Sequence, residues 1–428
     1  MKAIEGWNTG ELGELCSIEI GGTPSRSNLD YWDVSKETSN LWVSIRDLNR
    51  TIITDTSEYV SDLGIKHSNV KLQNIGTVLL SFKLSIGRVA FAGVPLYTNE
   101  AIAGLNSEKL DSNYLFHGLH QWNLLQGVDQ AIKGVTLNKA KLKKITFEYP
   151  QAFPEQTKIA EVLSTVDQAI KQTEALIAKQ QRIKTGLMQD LLTRGIDEHG
   201  NLRSEQTHQF KDSPLGRIPV EWEVEPFGHA CERVSVGIAT STTKYYREDG
   251  VPLLRNQNVL HGKLDLRDIL YISAEFDAIN KSKRLKPGDL ITMRTGYPGR
   301  TAVASDVIKG WQTFTTLIST PKKSRYLSDF LCLQINSSIG RGQILTLQGG
   351  GAQQNLNVGW FVNMKVLKPS MEEQQRMIAV LTEIEKGLNA NVGLLKKLRS
   401  LKAALMQDLL TGKKRVTPLL NDMEVRTG

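Results

Sequence analysis

The stretch PEQTKIAEVLSTVDQAIKQTEALIAKQQRIKTGLMQDLLT, residues 154–193, has a second copy, MEEQQRMIAVLTEIEKGLNANVGLLKKLRSLKAALMQDLLT, at residues 371–411. Glu155 and Glu373 are 218 positions apart, and so are Met188 and Met406, so no insertion separates the two ends. In the first copy Ile159, Leu163, Val166, Ile170, Ile177, Leu187 and Leu191 recur at 4,3 spacing, with Thr173, Gln180 and Lys184 filling the row. Met377, Leu381, Ile384, Leu388, Leu395, Leu398, Leu405 and Leu409 repeat it in the second copy, with Asn391 and Lys402 among them. This is a heptad seam, and a polar residue at one core position of such a seam sets register. Pro154 suits the first helical position of one helix, and Ser370 with Glu373 makes a capping box for the other. Gly195 and Gly412 stand just past the two ends. At 1.5 Å per residue each helix is a rod of roughly 55–60 Å, too long for an ordinary domain core. Gly186, Gly387 and Gly393 each cost about 1 kcal/mol against alanine inside a helix. They point to close helix approach, a partner surface or simple tolerance.

The duplication extends to what precedes each helix. Trp7 falls opposite Trp222, Cys16 opposite Cys231 and Gly21 opposite Gly237. WVSIRDLN around Arg46 answers PLLRNQNV around Arg255, and Gly87-Arg88 answers Gly299-Arg300. Leu137-Asn138 lies opposite Leu356-Asn357. Short strands over 77–81, 89–92, 290–293 and 301–304, with helical pieces over 113–126 and 328–337, give an α+β class for two globular units. The chain then divides into a first globular unit (1–153), a first long helix (154–195), a polar exposed linker (196–219), a second globular unit (220–370), a second long helix (371–412) and a basic tail (413–428) containing Lys413, Lys414 and Arg415.

If the repeats pack about a pseudo-two-fold axis, the helices pair as an antiparallel coiled coil with the globular units at opposite ends. B-DNA offers a groove of the same orientation about every 34 Å, so a spacer carrying two readers is one mechanical reading, and a protein scaffold is another. The 53 Lys and Arg against 45 Asp and Glu, net +8, are compatible with a polyanionic partner without requiring one. Three cysteines without CxxC spacing argue against a disulfide framework or a zinc site. With no secretory h-region and no apolar run near 18 residues, the expectation is a cytoplasmic protein without a membrane partner.

Two globular units opening in GW and EW segments, each followed by a helix beginning PEQTKIAEVL or EEQQRMIAVL, together with PLGRIPVEW before the second unit, resemble the specificity (S) subunit of type I restriction-modification systems. The resemblance covers essentially the full chain. It implies a non-catalytic subunit whose two target recognition domains each read one half of a bipartite, asymmetric site in double-stranded DNA. It also implies that the paired helices fix the gap and dock two methyltransferase (M) subunits, which methylate adenine N6 with S-adenosylmethionine. Restriction (R) subunits using ATP and Mg would complete the complex, in the cytoplasm of a bacterium or archaeon and associated with the nucleoid. No cofactor is expected in this chain, and the residues agree with a non-catalytic role. There is no GxxxxGK[ST] phosphate loop, no N/D-P-P-Y/F/W motif and no PD dipeptide.

Base edges are read by Arg or Lys for guanine and by Asn or Gln for adenine, while hydroxyls and amides serve phosphates. Gly-rich or turn-like segments with such side chains supply the candidates. In the first unit they are Thr23, Ser25, Arg26, Lys83, Ser85, Arg88, Lys133, Thr136, Asn138 and Lys139. In the second they are Thr240, Ser241, Lys244, Arg294, Thr295, Tyr297, Arg300, Gln348, Gln353, Gln354 and Asn355, with Arg46, Arg255, Asn256 and Asn258 as lesser candidates across the two units. Ordinary turns have the same composition, and an Arg shared by both halves is a poor specificity determinant. His117 and His120 have helical spacing without a third metal ligand, and Glu155, Glu372 and Glu373 are accounted for by helix-start electrostatics.

Overall fold

The computed structural model describes residues 4–83, 85–124, 137–347 and 355–420. The chain forms two compact units, Met1–Ala175 with Val392–Gly428, and Leu176–Asn391. The long helices, Phe153–Thr193 and Met371–Leu409, therefore each contribute one part to each unit. The seam rows lie on their covered faces: Ile159, Leu163, Leu191, Met377, Leu381 and Leu409 are buried, and Ile170, Ile177, Leu187, Ile384, Leu388, Leu395, Leu398 and Leu405 are half-buried.

In the first unit, a five-stranded sheet runs in the order Ser17–Ile20, Ile102–Asn106, Val78–Ser81, Val89–Ala92, Ile52–Ile53. A four-stranded sheet follows the order Glu58–Tyr59, Leu41–Val43, Leu96–Thr98, Leu72–Gln73. The second unit keeps four strands of the larger sheet, in the order Cys231–Val236, Thr316–Pro321, Leu290–Met293, Thr301–Val303, and its second sheet runs Tyr246–Arg247, Leu270–Ile272, Val251–Leu254, Gln312–Thr313, with the extra edge strand beside Leu270–Ile272 where the first unit has its own beside Leu96–Thr98. Val78–Ser81 and Leu290–Met293 are buried at every position, which is why neither shows apolar and polar residues in alternation. The helices Ser112–Gln121 and Ser328–Asn336 pack on these sheets, each ending short of its expected range. Cys16 and Cys231 are buried, and burial pushes both thiols up to about 12, so they act as small apolar residues.

A two-stranded ribbon closes each unit onto a long helix. Trp7–Glu11 pairs with Thr146–Pro150, and Glu223–Pro226 pairs with Lys365–Lys368. Immediately afterwards the Glu-Gln pair at each helix start is buried, with Glu155, Gln156, Glu373 and Gln374 at most 3% exposed. Gln156 donates to the carbonyls of Lys109 and Pro150 and accepts from the Asp111 amide. Gln374 repeats this with Arg325, Pro369 and Leu327. The Glu373 carboxylate accepts from Arg203, from Trp222 Nε1 at 3.0 Å and from the Ile196 amide at 2.9 Å. In the first unit Arg415 clamps Glu155, with Nη2 at 2.7 Å from Oε2. Each buried Glu is thus held by an arginine that follows the other long helix.

These contacts change three expectations. Ser370 does cap its helix, accepting from the Glu373 amide at 3.2 Å, but the Glu373 side chain turns to Arg203 instead of returning to the cap. Residues 196–219 are folded rather than an exposed linker. Ile196, Arg203 and Ile218 are buried, and Phe210–Ser213 pairs with Gly216–Pro219. The start of the tail is likewise anchored, because Arg415 is ion-paired and Val416 is buried. In each case isolated anchors inside a polar stretch hold the chain, and such anchors leave no periodic signal. Gly195 and Gly412 have φ of 68° and 66°, the left-handed cap expected past a helix end. A Cβ at Gly186 or Gly393 would meet nothing within 4 Å, so no close approach within the described chain explains either.

Candidate nucleic-acid interface

Three connections converge at one edge of each globular unit. In the first they are the segment after Ser17–Ile20, the turn after Leu41–Val43 and the hairpin loop between Val78–Ser81 and Val89–Ala92. Close approach of the segment after Ser17–Ile20 to the end of strand Leu96–Thr98 requires glycine at Gly21, where a Cβ would strike the Thr98 backbone, and Gly237 stands likewise against Thr313 at the end of Gln312–Thr313. The hairpin loops turn through Gly87 and Gly299, with φ of 90° and 87°. Their hydrogen bonds coincide: the Gly87 amide donates to the Ser81 carbonyl and the Gly299 amide to that of Met293, while the Ser81 and Met293 amides donate to the carbonyls of Arg88 and Arg300. The expected pairing of Gly87-Arg88 with Gly299-Arg300 is therefore a structural equivalence. Leu137 with Leu356 is another, since their amides donate to Phe82 and Arg294.

The pairing of Arg46 with Arg255 is corrected by this geometry. Val43 bonds in parallel register to Thr98, and Leu254 to Thr313. Ser44 and Arg255 come next in each chain segment, so Arg255 is equivalent to Ser44.

In the first unit the exposed Arg26 guanidinium lies 3.8 Å from the Trp32 ring centre and 4.9 Å from that of Trp42, and is ion-paired with Glu58. Thr23 donates to the Glu100 carboxylate, and Ser25 bonds to Ser27 at 2.8 Å. Arg88 Nη1 donates to the Ile45 carbonyl at 3.2 Å, which joins the hairpin loop to the turn. Lys83 and Ser85 sit half-buried in that loop. Asn138 is engaged elsewhere: its Oδ1 caps a short helix by accepting from the Lys141 amide at 2.8 Å. Lys139 is exposed beside it, and Lys133 and Thr136 lie outside the described residues.

In the second unit Asn256 takes the place of Ile45 and donates through Nδ2 to Thr295 at 2.6 Å and Thr315 at 3.3 Å. Thr315 has φ of 55°, a strained conformation for a β-branched residue that costs on the order of 1–3 kcal/mol and concentrates at functional sites. Arg300 stacks 3.7 Å from the ring centre of Tyr297, which is 61% exposed at the loop tip. Arg255 is tied to Asp268 at 2.8 Å, and Arg294 donates to the Leu356 carbonyl at 3.1 Å, so both are partly committed to positioning chain. Asn258 is buried and donates to the carbonyls of Asp265 and Asp268 at 2.9 and 2.8 Å, which makes it a turn-holding residue. Thr240, Ser241, Lys244 and Asn355 are exposed, while Gln348, Gln353 and Gln354 lie outside the described residues. Sequence reasoning passed over Gln257, exposed on this turn; the misalignment around Arg255 concealed it.

Basic side chains outnumber acidic ones in the cleft beside the first unit's hairpin loop. A cleft of about 1300 Å³ in the first unit is lined by Arg50, Arg88, Lys171 and Lys402 against Asp167 and Glu174. His117 and His120 also face it. His117 Nε2 bonds to Ser164 at 3.1 Å, and burial pushes this imidazole down to about 4. Among the described residues no group of three His, Cys, Asp or Glu converges as a metal site, and no helix is long and apolar enough to cross a membrane.

The family model for the type I restriction modification DNA specificity domain matches residues 4–180 and 219–399, well over half the chain. A putative type I restriction enzyme MjaX specificity subunit from Methanocaldococcus jannaschii is 25% identical, with 96% of this chain and 94% of the relative covered. The EcoR124I/EcoR124II specificity subunit from Escherichia coli is 24% identical over 48% of this chain and 47% of its own length. The fold is similar to that of the type I system S subunit from M. genitalium, with a TM-score of 0.57, 14% identity and 96% and 97% of the two chains covered. A chain from a structure on complex assembly and conformational transition of the type I R-M system gives a TM-score of 0.60 at 16% identity, with 97% and 100% covered.

Proposed function

We infer, since this chain belongs to the type I restriction modification DNA specificity family, that it is the non-catalytic DNA-recognition subunit of a type I complex. Each globular unit reads one half of a bipartite site through its three converging connections, and the halves differ because the connections differ. Asn256, Thr295 and Thr315 form a hydroxyl and amide cluster in one unit where the other presents Ile45, Lys83 and Glu100. The long helices pair as an antiparallel coiled coil that sets the gap. Support comes from contacts inside each unit: Lys402 with Asp167 at 2.6 Å and Arg399 with Glu174 at 2.7 Å, then Asn391 with Gln180 at 2.9 Å and Lys184 with Glu385. Residue numbers rise along one helix as they fall along the other, as antiparallel neighbours require.

Two methyltransferase subunits dock on these helices, and one observation carries that number. Leu176 and Ile183 are 44% and 49% exposed, seven residues apart on one helix face; Leu394 and Leu401, 46% and 47% exposed, repeat the pair 218 positions later. Exposed aliphatic side chains at the same place in both repeats make two equivalent apolar stripes beyond the seam. In this reading S-adenosylmethionine belongs to the methyltransferase subunits, which act on adenine N6. ATP and Mg belong to restriction subunits that join for cleavage. Replacing residues 1–151 with the corresponding domain of another family member, in the complex with its methyltransferase partner, is expected to change one half of the methylated site. A change in both halves contradicts modular reading.

A further inference from the structure

The turn after Leu41–Val43 and the turn after Val251–Leu254 have the same hydrogen bonds. Ser44 N–H donates to the Asp47 carboxylate at 2.8 Å, and Arg255 N–H donates to Asn258 Oδ1 at 2.9 Å. The Asp47 amide returns to the Ser44 carbonyl at 3.1 Å, and the Asn258 amide returns to that of Arg255 at 2.9 Å. Between these fixed ends Ile45 is equivalent to Asn256, and Arg46 to Gln257. Both Arg46 and Gln257 are exposed, and each turn is joined to its neighbouring hairpin loop, through Arg88 in one unit and Thr295 in the other.

We propose that Arg46 and Gln257 are base-reading residues at one and the same place in the two units, Arg46 selecting guanine and Gln257 selecting adenine. The proposal rests on the DNA-reading function inferred above. Among the described residues Arg46 has no hydrogen-bond or ion-pair partner, so its fork of N–H donors is free for the O6 and N7 acceptors of guanine. Gln257 is held differently. Its Nε2 donates to Asp268 Oδ2 at 2.8 Å, and the same carboxylate oxygen accepts from Arg255 Nη2 at 2.8 Å. Arg255 compensates the charge of Asp268, and Asp268 fixes the amide, leaving Gln257 with its carbonyl oxygen and one N–H to offer. Adenine matches that pair with its N6 donor and N7 acceptor, whereas guanine presents two acceptors. A phosphate is a poor alternative, because the Asp268 side chain is itself 71% exposed beside the amide. The same turn thus presents donors only in one unit and a donor with an acceptor in the other, which makes two half-sites unlike without any change of fold.

The test exchanges the two side chains in the full chain assembled with its methyltransferase partner, and reads methylation across a randomised DNA library. Gln257→Arg is expected to move one position in one half-site from A·T to G·C, with discrimination altered roughly 10- to 100-fold, and to leave the other half and the gap unchanged. Arg46→Gln is expected to do the converse in the other half. Gln257→Ala and Arg46→Ala, which remove exposed side chains without inserting a new one, should relax the same single positions. An unchanged motif at full rate in the alanine variants overturns the assignment while the DNA-reading function stands. A uniform loss over all sequences means phosphate contact and overturns it equally. If the unaltered chain directs no motif at all, the fault lies with the function inferred above.

Discussion

Glu373→Gln removes the negative charge from a site where Arg203 stays behind. The two side chains are 4% and 9% exposed, so the guanidinium cannot rehydrate in place. The carboxylate accepts from both Arg203 nitrogens, Trp222 and Ile196, and glutamine preserves its shape while reversing the polarity of one end. Breaking a buried pair by altering one partner costs about 3–5 kcal/mol, mostly through the stranded charge. The twin substitution, Glu155→Gln, is an internal control. Glu155 is as deeply buried, but Arg415 is 29% exposed and can turn toward solvent. Its expected cost is smaller, about 1–2 kcal/mol. Urea unfolding of the purified chain gives both values, provided the denaturant slope is unchanged. Glu373→Gln with Arg203→Met should recover part of the loss, because no charge is then stranded. Equal losses for the two glutamine variants, or a loss under about 1 kcal/mol for Glu373→Gln, would refute the buried-charge reasoning.

Burial holds the His117 imidazole at about 4, below its ordinary value, against a raising contribution from Asp167 and a lowering one from Lys402. The unfolded chain therefore binds the extra proton first, so stability is complete above about pH 6.5 and falls as the pH drops toward 4, at up to roughly 1.4 kcal/mol per unit. Urea midpoints at pH 7 and pH 5 should show the fall, and His117→Gln should flatten it; identical slopes in both proteins argue against the assignment. Leu394→Asp with Leu401→Asp is expected to cut the bound methyltransferase subunits from two to one by native mass spectrometry, with the chain still folded; retention of two contradicts the docking stripes. Arg88→Ala and Arg300→Ala should each lower the slope of log binding constant against log salt by about 0.9 if each contacts one phosphate, measured by fluorescence anisotropy of the assembled complex. An unchanged slope removes these arginines from the backbone contacts.

The helices and their heptad rows were legible because a 4,3 pattern sustained over so many turns survives interruptions such as Thr173 and Gln180, and an exact offset doubles the signal. The globular repeat was legible at Gly21, Gly87 and Leu137, where backbone geometry restricts the residue. It failed at Arg255, where exposed turn residues are unrestricted and an Arg-to-Arg match drew the alignment to the wrong place. The same weakness hid Gln257. Residues 196–219 were misread because Ile196, Arg203 and Ile218 anchor the segment one at a time. Glu155 and Glu373 were explained by helix-start electrostatics, since nothing local in sequence announces Arg415 and Arg203 as their partners. The outward stripe of Leu176 and Ile183 was visible in principle, as it recurs at the repeat offset, but only burial separates it from the seam.

In the proposed function this chain alone decides which DNA sequence its complex acts upon. Single-molecule methylation sequencing tests it in a host carrying the partner methyltransferase subunit, with and without this chain. The expected result is a new N6-methyladenine motif of two short, unlike halves around a fixed unread gap, present only with the chain. Absence of any new motif, where the same methyltransferase subunit is active beside another specificity subunit, contradicts it.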